Sequence, residues 1–128
     1  MANPIRVLIV DDQPRARQSL KALLGTLPQV VEIREAADGL EAVCCVAESL
    51  PNLVLTDVRM PEMDGLAATR LIKESWPQVK VIVLSIYAEY QDEALAVGAD
   101  AFISKGEPPE NLLKTLSTIV AGQQSGTL

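Results

Sequence analysis

A chain of 128 residues, 48% hydrophobic and 22% charged, has the size and composition of one folded domain with a buried core, which excludes a disordered segment. Its net charge of −6, without any Lys/Arg cluster, argues against a grip on nucleic acid by this chain. Histidine is absent, and with it go His-based triads, His general bases and His-ligated metal sites.

The longest apolar stretches are a handful of residues, far short of a membrane span, and no basic, apolar, small-residue leader opens the chain. A cytoplasmic location, with no membrane partner, is expected. Cys44 and Cys45 are sequence neighbours, which disfavours an unstrained disulfide, and they lack the CxxC spacing of zinc or thiol-exchange sites. They are expected to be inert, buried helix thiols.

Taken in chain order, Ile5–Val10 (IRVLIV) is a short Val/Ile-rich run that reads as a strand. Arg15–Leu27 follows with a helical stripe of Ala16, Leu20, Leu23, Leu24 and Leu27, and Pro14 suits its first turn. Val30–Ala36 reads as a second strand. Asp38 is placed to cap a helix over Gly39–Ser49, which Pro51 follows. After a third strand at Leu53–Thr56, a helix marked by Leu66, Thr69, Ile72 and Trp76 is stopped by Pro77. Val79–Leu84 is the fourth strand, and Glu89–Val97 the fourth helix with Gly98 at its end. Ala101–Ile103 is the fifth strand. The last helix begins near Pro108–Pro109 and carries a stripe of Leu112, Leu113, Leu116, Ile119 and Val120. Gly122–Leu128 is polar and is expected to fray.

Strict alternation of strand and helix implies an α/β fold, a parallel sheet wrapped on both faces. The near-continuous apolar character of the first, third and fourth strands fits strands covered on both sides. No break in composition marks a second domain.

In such a sheet, ligands bind outside the carboxyl ends of the strands. The first strand ends in Asp11–Asp12, the third in Asp57, the fourth in Ser85, and the fifth runs into Lys105. Taken alone, each residue has an ordinary explanation: a helix cap, a turn former, a loop serine, a solvated lysine. Taken together they deliver three carboxylates, a hydroxyl and an amine to one rim from four strands.

Three crowded carboxylates repel unless a cation is present, and an all-oxygen donor set suits a hard divalent ion such as Mg²⁺. A carboxylate beside such a cation, a lysine and a hydroxyl is equipped for phosphoryl transfer, with the carboxylate attacking phosphorus. It needs no general base, so the missing histidines are no obstacle.

VLIVDD at Val7–Asp12, LTDVRMPEMDG at Leu55–Gly65, VIVLS at Val81–Ser85 and GADAFISK at Gly98–Lys105 together resemble the receiver domains of two-component response regulators. The resemblance spans essentially the whole chain and is greatest to receivers that precede a LuxR-type helix-turn-helix. It implies a flavodoxin-like, doubly wound, five-stranded parallel sheet of order 2-1-3-4-5 with five helices. Residues 1–121 would form the receiver, and 122–128 a tail or the start of a linker.

By the same resemblance, Asp57 would be the phosphoacceptor. Asp12 and Asp57 would bind Mg²⁺ directly with the Arg59 backbone carbonyl, and Asp11 would act mainly through a metal-bound water. Ser85 and Lys105 would each contact a phosphoryl oxygen. Ser85, Phe102 and Tyr87 would form the switch, with Tyr87 and Tyr90 adding aromatic area for a partner on the face of the fourth helix, fifth strand and fifth helix. The implied partners are a sensor histidine kinase or phosphotransfer protein upstream, and a homodimer or output domain downstream. The domain would be no enzyme beyond its own phosphorylation and dephosphorylation.

Several positions depart from the family pattern. Ser85 stands where Thr is common, and Phe102 lacks the phenol oxygen that Tyr would bring, so a hydrogen-bonded switch is excluded while ordinary core packing stays open for Phe102. Gly106 stands where Pro is frequent. Two rivals remain. A haloacid-dehalogenase-like phosphohydrolase needs an acid two residues beyond its nucleophile, where this chain has Arg59. A degenerate receiver that only binds protein would have lost site residues that are all present here. Nucleotide binding is disfavoured by the lack of GxxxxGK[ST] or GxGxxG.

Overall fold

The structure, a computed structural model, describes residues 4–125. Side-chain alternation decides which face each strand residue takes. In β1 (Ile5–Val10), Leu8 and Val10 pack on one side with Ala42 and Val46 of α2 (Gly39–Ser49). Val7 and Ile9 pack on the other with Leu24 of α1 (Pro14–Leu24). In β3 (Leu53–Thr56) and β4 (Lys80–Ser85) the same period sends Val54, Val81 and Val83 to the first side, and Leu53, Leu55, Ile82 and Leu84 to the second. All are buried, as parallel strands with helical crossovers on both faces require.

The strands run parallel in the order β2-β1-β3-β4-β5, with β2 (Val30–Ala36) and β5 (Ala101–Ser104) at the edges. α1 and α5 (Pro109–Ser125) cover one face through Leu24, Leu112, Leu116 and Val120. α2, α3 (Gly65–Ser75) and α4 (Gln91–Ala96) cover the other through Val46, Ile72 and Ala94. The expected strand order and layering are therefore present.

β1, β2, β3 and α2 have the predicted limits; the other differences are local and have physical causes. α1 stops at Leu24 rather than Leu27, because beyond Gly25 the N–H groups of Thr26 and Leu27 bond only three residues back, to the carbonyls of Leu23 (3.1 Å) and Leu24 (3.0 Å). Leu27 still reaches the core, from a turn. β4 begins at Lys80 rather than Val79: the Val79 N–H bonds back to Trp76 (2.9 Å), and Lys80 is the first to bond across, to the Asn52 carbonyl (3.1 Å). β4 and β5 each run one residue further than predicted, pairing Ser85 with Ser104.

The segment expected as one helix over Glu89–Val97 divides into a 3₁₀ turn at Ala88–Tyr90 and the short α4. Tyr90 N–H bonds to the Tyr87 carbonyl (3.2 Å), tightening the entry, and Ala94 alone of α4 is fully buried, so little apolar face exists to lengthen it. Gly98, at φ +106°, then takes the left-handed position beyond the helix end. α5 continues through Gly122 to Ser125, where a tail was expected, and 126–128 lie outside the described residues. Cys44 and Cys45 sit on α2 as free thiols, but Cys44 is exposed and Cys45 half-buried, not buried as expected. Among the described residues no helix is long and apolar enough to cross a membrane.

Candidate functional site

The order β2-β1-β3 means that the chain leaves β1 toward one edge of the sheet and later fills the other side from β3 onward. At such a switch point the connections diverge and leave a crevice at the carboxyl ends. Asp11 and Asp12 follow β1, and Asp57 follows β3, so this crevice is where they meet. The Asp57 N–H still bonds to the Val10 carbonyl (3.0 Å) and the Asp11 N–H to that of Ala36 (3.1 Å). The sheet itself, rather than a free loop, therefore sets both carboxylates.

One carboxylate oxygen from each of Asp11, Asp12 and Asp57 lies within 4.8 Å of the others. Asp11 is buried and has both oxygens engaged. Oδ1 accepts the Gln13 N–H (2.9 Å), and Oδ2 accepts the Lys105 ammonium (3.0 Å). Lys105 also donates to Asp57 Oδ2 (3.2 Å), while Asp57 Oδ1 accepts the Val58 N–H (2.7 Å). The Asp12 carboxylate takes no hydrogen bond from a described residue. Burial disfavours the Lys105 ammonium, but the hydrogen bond to Asp11 and the charges of Asp57 and Asp11 outweigh it and hold its pKa above the ordinary 10.5. One fixed cation among three carboxylates leaves an excess of negative charge, which suits a divalent ion.

Ser85 is buried at the end of β4. Its hydroxyl oxygen accepts the Tyr87 N–H (3.0 Å), and its carbonyl accepts the Lys105 N–H (2.9 Å), tying the β4 and β5 ends together. Phe102 lies opposite Val83 on β5, half-buried against the core under α2, α3 and α4. The structure thus brings Asp11, Asp12, Asp57 and Lys105 into one cluster and sets Ser85 at the end of the neighbouring strand. Phe102 lies further back along β5.

Three structural roles escaped the sequence reading. Arg17 of α1 donates to the Asp11 carbonyl (2.6 Å) and to Glu35 (2.9 Å), holding the main chain under the cluster. Only its place one turn into a helix that follows Asp11–Asp12 hinted at this. The Arg59 guanidinium carbon lies over the Tyr87 ring, 4.0 Å from its centre, and Nε donates to the Tyr90 hydroxyl (3.1 Å), a pairing with no sequence signal. Gly65 was read as part of a motif without a physical role. It starts α3 with its N–H on the Val58 carbonyl (2.7 Å), and a Cβ there would fall on the Asp57 carbonyl oxygen.

Gly65→Ala must therefore push main chain against main chain directly beneath Asp57. We expect a loss of about 3 kcal/mol in stability, at the upper end of overpacking costs. In urea this reads as a midpoint lower by more than about 1 M. An unchanged midpoint would show that the α3 start shifts freely.

The response regulator receiver domain model matches residues 7–117. The nitrate/nitrite response regulator NarL of Escherichia coli K12 is 35% identical over 123 residues, covering 94% of this chain and 56% of NarL. This chain thus spans about half the length of the curated relatives it matches. Among solved structures, a LuxR-family two-component response regulator from Aurantimonas sp. SI85-9A1 superimposes with a TM-score of 0.88 at 27% identity, covering 94% of this chain and 87% of that one. A CheX-CheY-BeF3-Mg complex from Borrelia burgdorferi gives 0.83 at 29% identity, covering 91% and 90%. With the strand order, the acidic crevice and a family match over most of its length, the chain belongs to the receiver domains of two-component response regulators.

Proposed function

We propose that this receiver domain takes a phosphoryl group onto Asp57 in a Mg²⁺-dependent transfer from a histidine kinase, a phosphotransfer protein or a small phosphodonor. The observation that carries the proposal is the Lys105 ammonium bridging Asp11 (3.0 Å) and Asp57 (3.2 Å) beside Asp12 in the β1/β3 crevice. An Asp57 oxygen forms the new bond to phosphorus as the bond from phosphorus to the donor's leaving group breaks. Lys105 neutralises charge on a phosphoryl oxygen, and Ser85 donates to another. A carboxylate nucleophile needs no base, which fits a chain without histidine.

The donor set fits Mg²⁺. Asp12 has a carboxylate with no partner among the described residues, an Asp57 oxygen lies within 4.8 Å of it, the Arg59 carbonyl follows two residues after Asp57, and both Asp11 oxygens are already bonded, which favours contact through a water. When bound, the ion would supply charge neutralisation on the phosphoryl oxygens. The Borrelia neighbour, a complex with BeF3 and Mg, supports the same reading.

Output would run through Ser85 and Phe102. For its hydroxyl to donate to a phosphoryl oxygen, Ser85 moves toward Asp57, and because its oxygen accepts the Tyr87 N–H the β4–α4 connection moves with it. Phe102, half-buried one strand away, fills the space and remodels the face of α4, β5 and α5 for a homodimer or an output domain. The domain catalyses nothing beyond its own phosphorylation and dephosphorylation, binds no nucleic acid itself and works in the cytoplasm.

Incubation with Mg²⁺ and acetyl phosphate tests the function. We expect one acid-stable, base-labile phosphoryl adduct by mass spectrometry; no adduct would leave only a protein-binding module. Ser85→Ala should keep the adduct yet lose most of the amide-exchange change at Phe102 and Glu89–Val97. A full response in that variant would remove Ser85 from the switch.

A further inference from the structure

The side chains of Arg59, Tyr87 and Tyr90 make a three-residue cluster that takes no part in binding the phosphoryl group or the metal. Arg59 comes from the β3–α3 loop, two residues beyond Asp57, while Tyr87 precedes and Tyr90 ends the 3₁₀ turn between β4 and α4. The guanidinium carbon sits 4.0 Å from the centre of the Tyr87 ring and 5.7 Å from that of Tyr90, and Nε donates to the Tyr90 hydroxyl (3.1 Å). The rings meet edge to face, 6.1 Å apart at 87°. The hydrogen bond to Tyr90, helped by the acidic groups of Tyr90, Tyr87 and Glu89 nearby, raises the Arg59 pKa above its ordinary value. Tyr90 also packs on the core under α2 and α3, which anchors the cluster.

The Tyr87 N–H is the donor that occupies the Ser85 hydroxyl oxygen. A single residue is thus tied at its backbone to Ser85 and at its ring to Arg59. We infer that Arg59, Tyr87 and Tyr90 form a clamp that holds the β4–α4 connection, and with it the Ser85 hydroxyl, in the resting position. Arg59 and the two tyrosines act as positioning residues, not as catalytic ones. The clamp must open for Ser85 to move, so its strength sets how far the resting equilibrium lies from the phosphorylated form. This rests on the proposed phosphorylation of Asp57 and adds to it the restraint that opposes switching.

A ligand that binds the switched form meets an apparent affinity reduced by the fraction of molecules in that form. Weakening the clamp should therefore tighten binding of beryllofluoride, which occupies the phosphoryl position. Tyr87→Leu combined with Tyr90→Phe removes the stacked ring and the hydroxyl acceptor while keeping every charge near Asp57. Cation–π contacts at exposed positions predict a tightening of about fivefold. The chain has two tyrosines, both in the clamp, so their ring signals in NMR report on it directly.

The experiment titrates parent and double variant with beryllofluoride and Mg²⁺, following bound fluoride by ¹⁹F NMR and the tyrosine rings by proton NMR. The clamp predicts ring shifts in the parent on saturation and about fivefold tighter binding in the variant. Tyr90→Phe alone, the gentler change, should move affinity the same way by a smaller factor. Binding that is unchanged or weaker in the variants, with static parent rings, overturns the clamp and leaves the Asp57 reading standing. Failure of the parent to bind fluoride overturns both. A lower melting temperature without a change in affinity would reduce the cluster to a packing feature and also overturns it.

Discussion

Asp57→Asn is expected to abolish the phosphoryl adduct under conditions that label the parent. Asn keeps the shape of the side chain, and its oxygen can still accept the Val58 N–H that now holds Oδ1 at 2.7 Å, so the fold should be unaffected. What is lost is the nucleophilic carboxylate. Neither neighbour can replace it. Asp11 is buried with both oxygens bonded, one to Gln13 and one to Lys105, and Asp12 lacks the lysine contact that Asp57 has. Intact-mass spectrometry reads the result, and equal labelling of the variant would sink the assignment of Asp57.

Asp12→Ala is expected to weaken Mg²⁺ binding by at least about tenfold, the lower end of what loss of even an outer partner commonly costs. It removes a carboxylate that no described residue occupies, so nothing offsets the loss. Lys105→Ala should act in the opposite sense. Its ammonium lies 3.0 Å from Asp11 and 3.2 Å from Asp57 and competes with any metal for the same oxygens. Because the Lys105 pKa is raised above 10.5, the side chain stays charged through the neutral range. Its stabilising contribution is fully present below 10.5 and fades only as pH rises through the elevated value. Mg²⁺ affinity in Lys105→Ala should thus equal or exceed that of the parent throughout the neutral range, while the response to phosphorylation falls. Titrations in which both variants bind Mg²⁺ like the parent would mean the site is wrongly drawn.

Much of this was legible before any coordinates. The apolar runs ending in Asp11–Asp12, Asp57 and Ser85 are short and Val/Ile-rich, and a residue that ends a parallel strand must lie at the rim. Burial on both faces was equally visible, because β1, β3 and β4 have little room for polar side chains. Element ends were less legible. Whether Val79 or Lys80 starts β4 depends on which N–H finds the Asn52 carbonyl, a partner supplied from 28 positions earlier in the chain.

Alternation of strand and helix, and the residue type at each strand end, are local properties, so the sequence by itself determined the layered fold and the membership of the acidic cluster. Which groups actually touch is a long-range matter. Lys105 reaches Asp11 across 94 positions of chain and Asp57 across 48, and Arg59 reaches Tyr90 across 31. Neither hydropathy nor propensity carries information over such separations, since both describe a residue's own neighbourhood. The crowding at Gly65 is of the same kind, created by the Asp57 carbonyl meeting the start of α3. The clamp, the occupied Ser85 hydroxyl and the unequal engagement of Asp11 and Asp12 were decided only when packing brought the strand ends together.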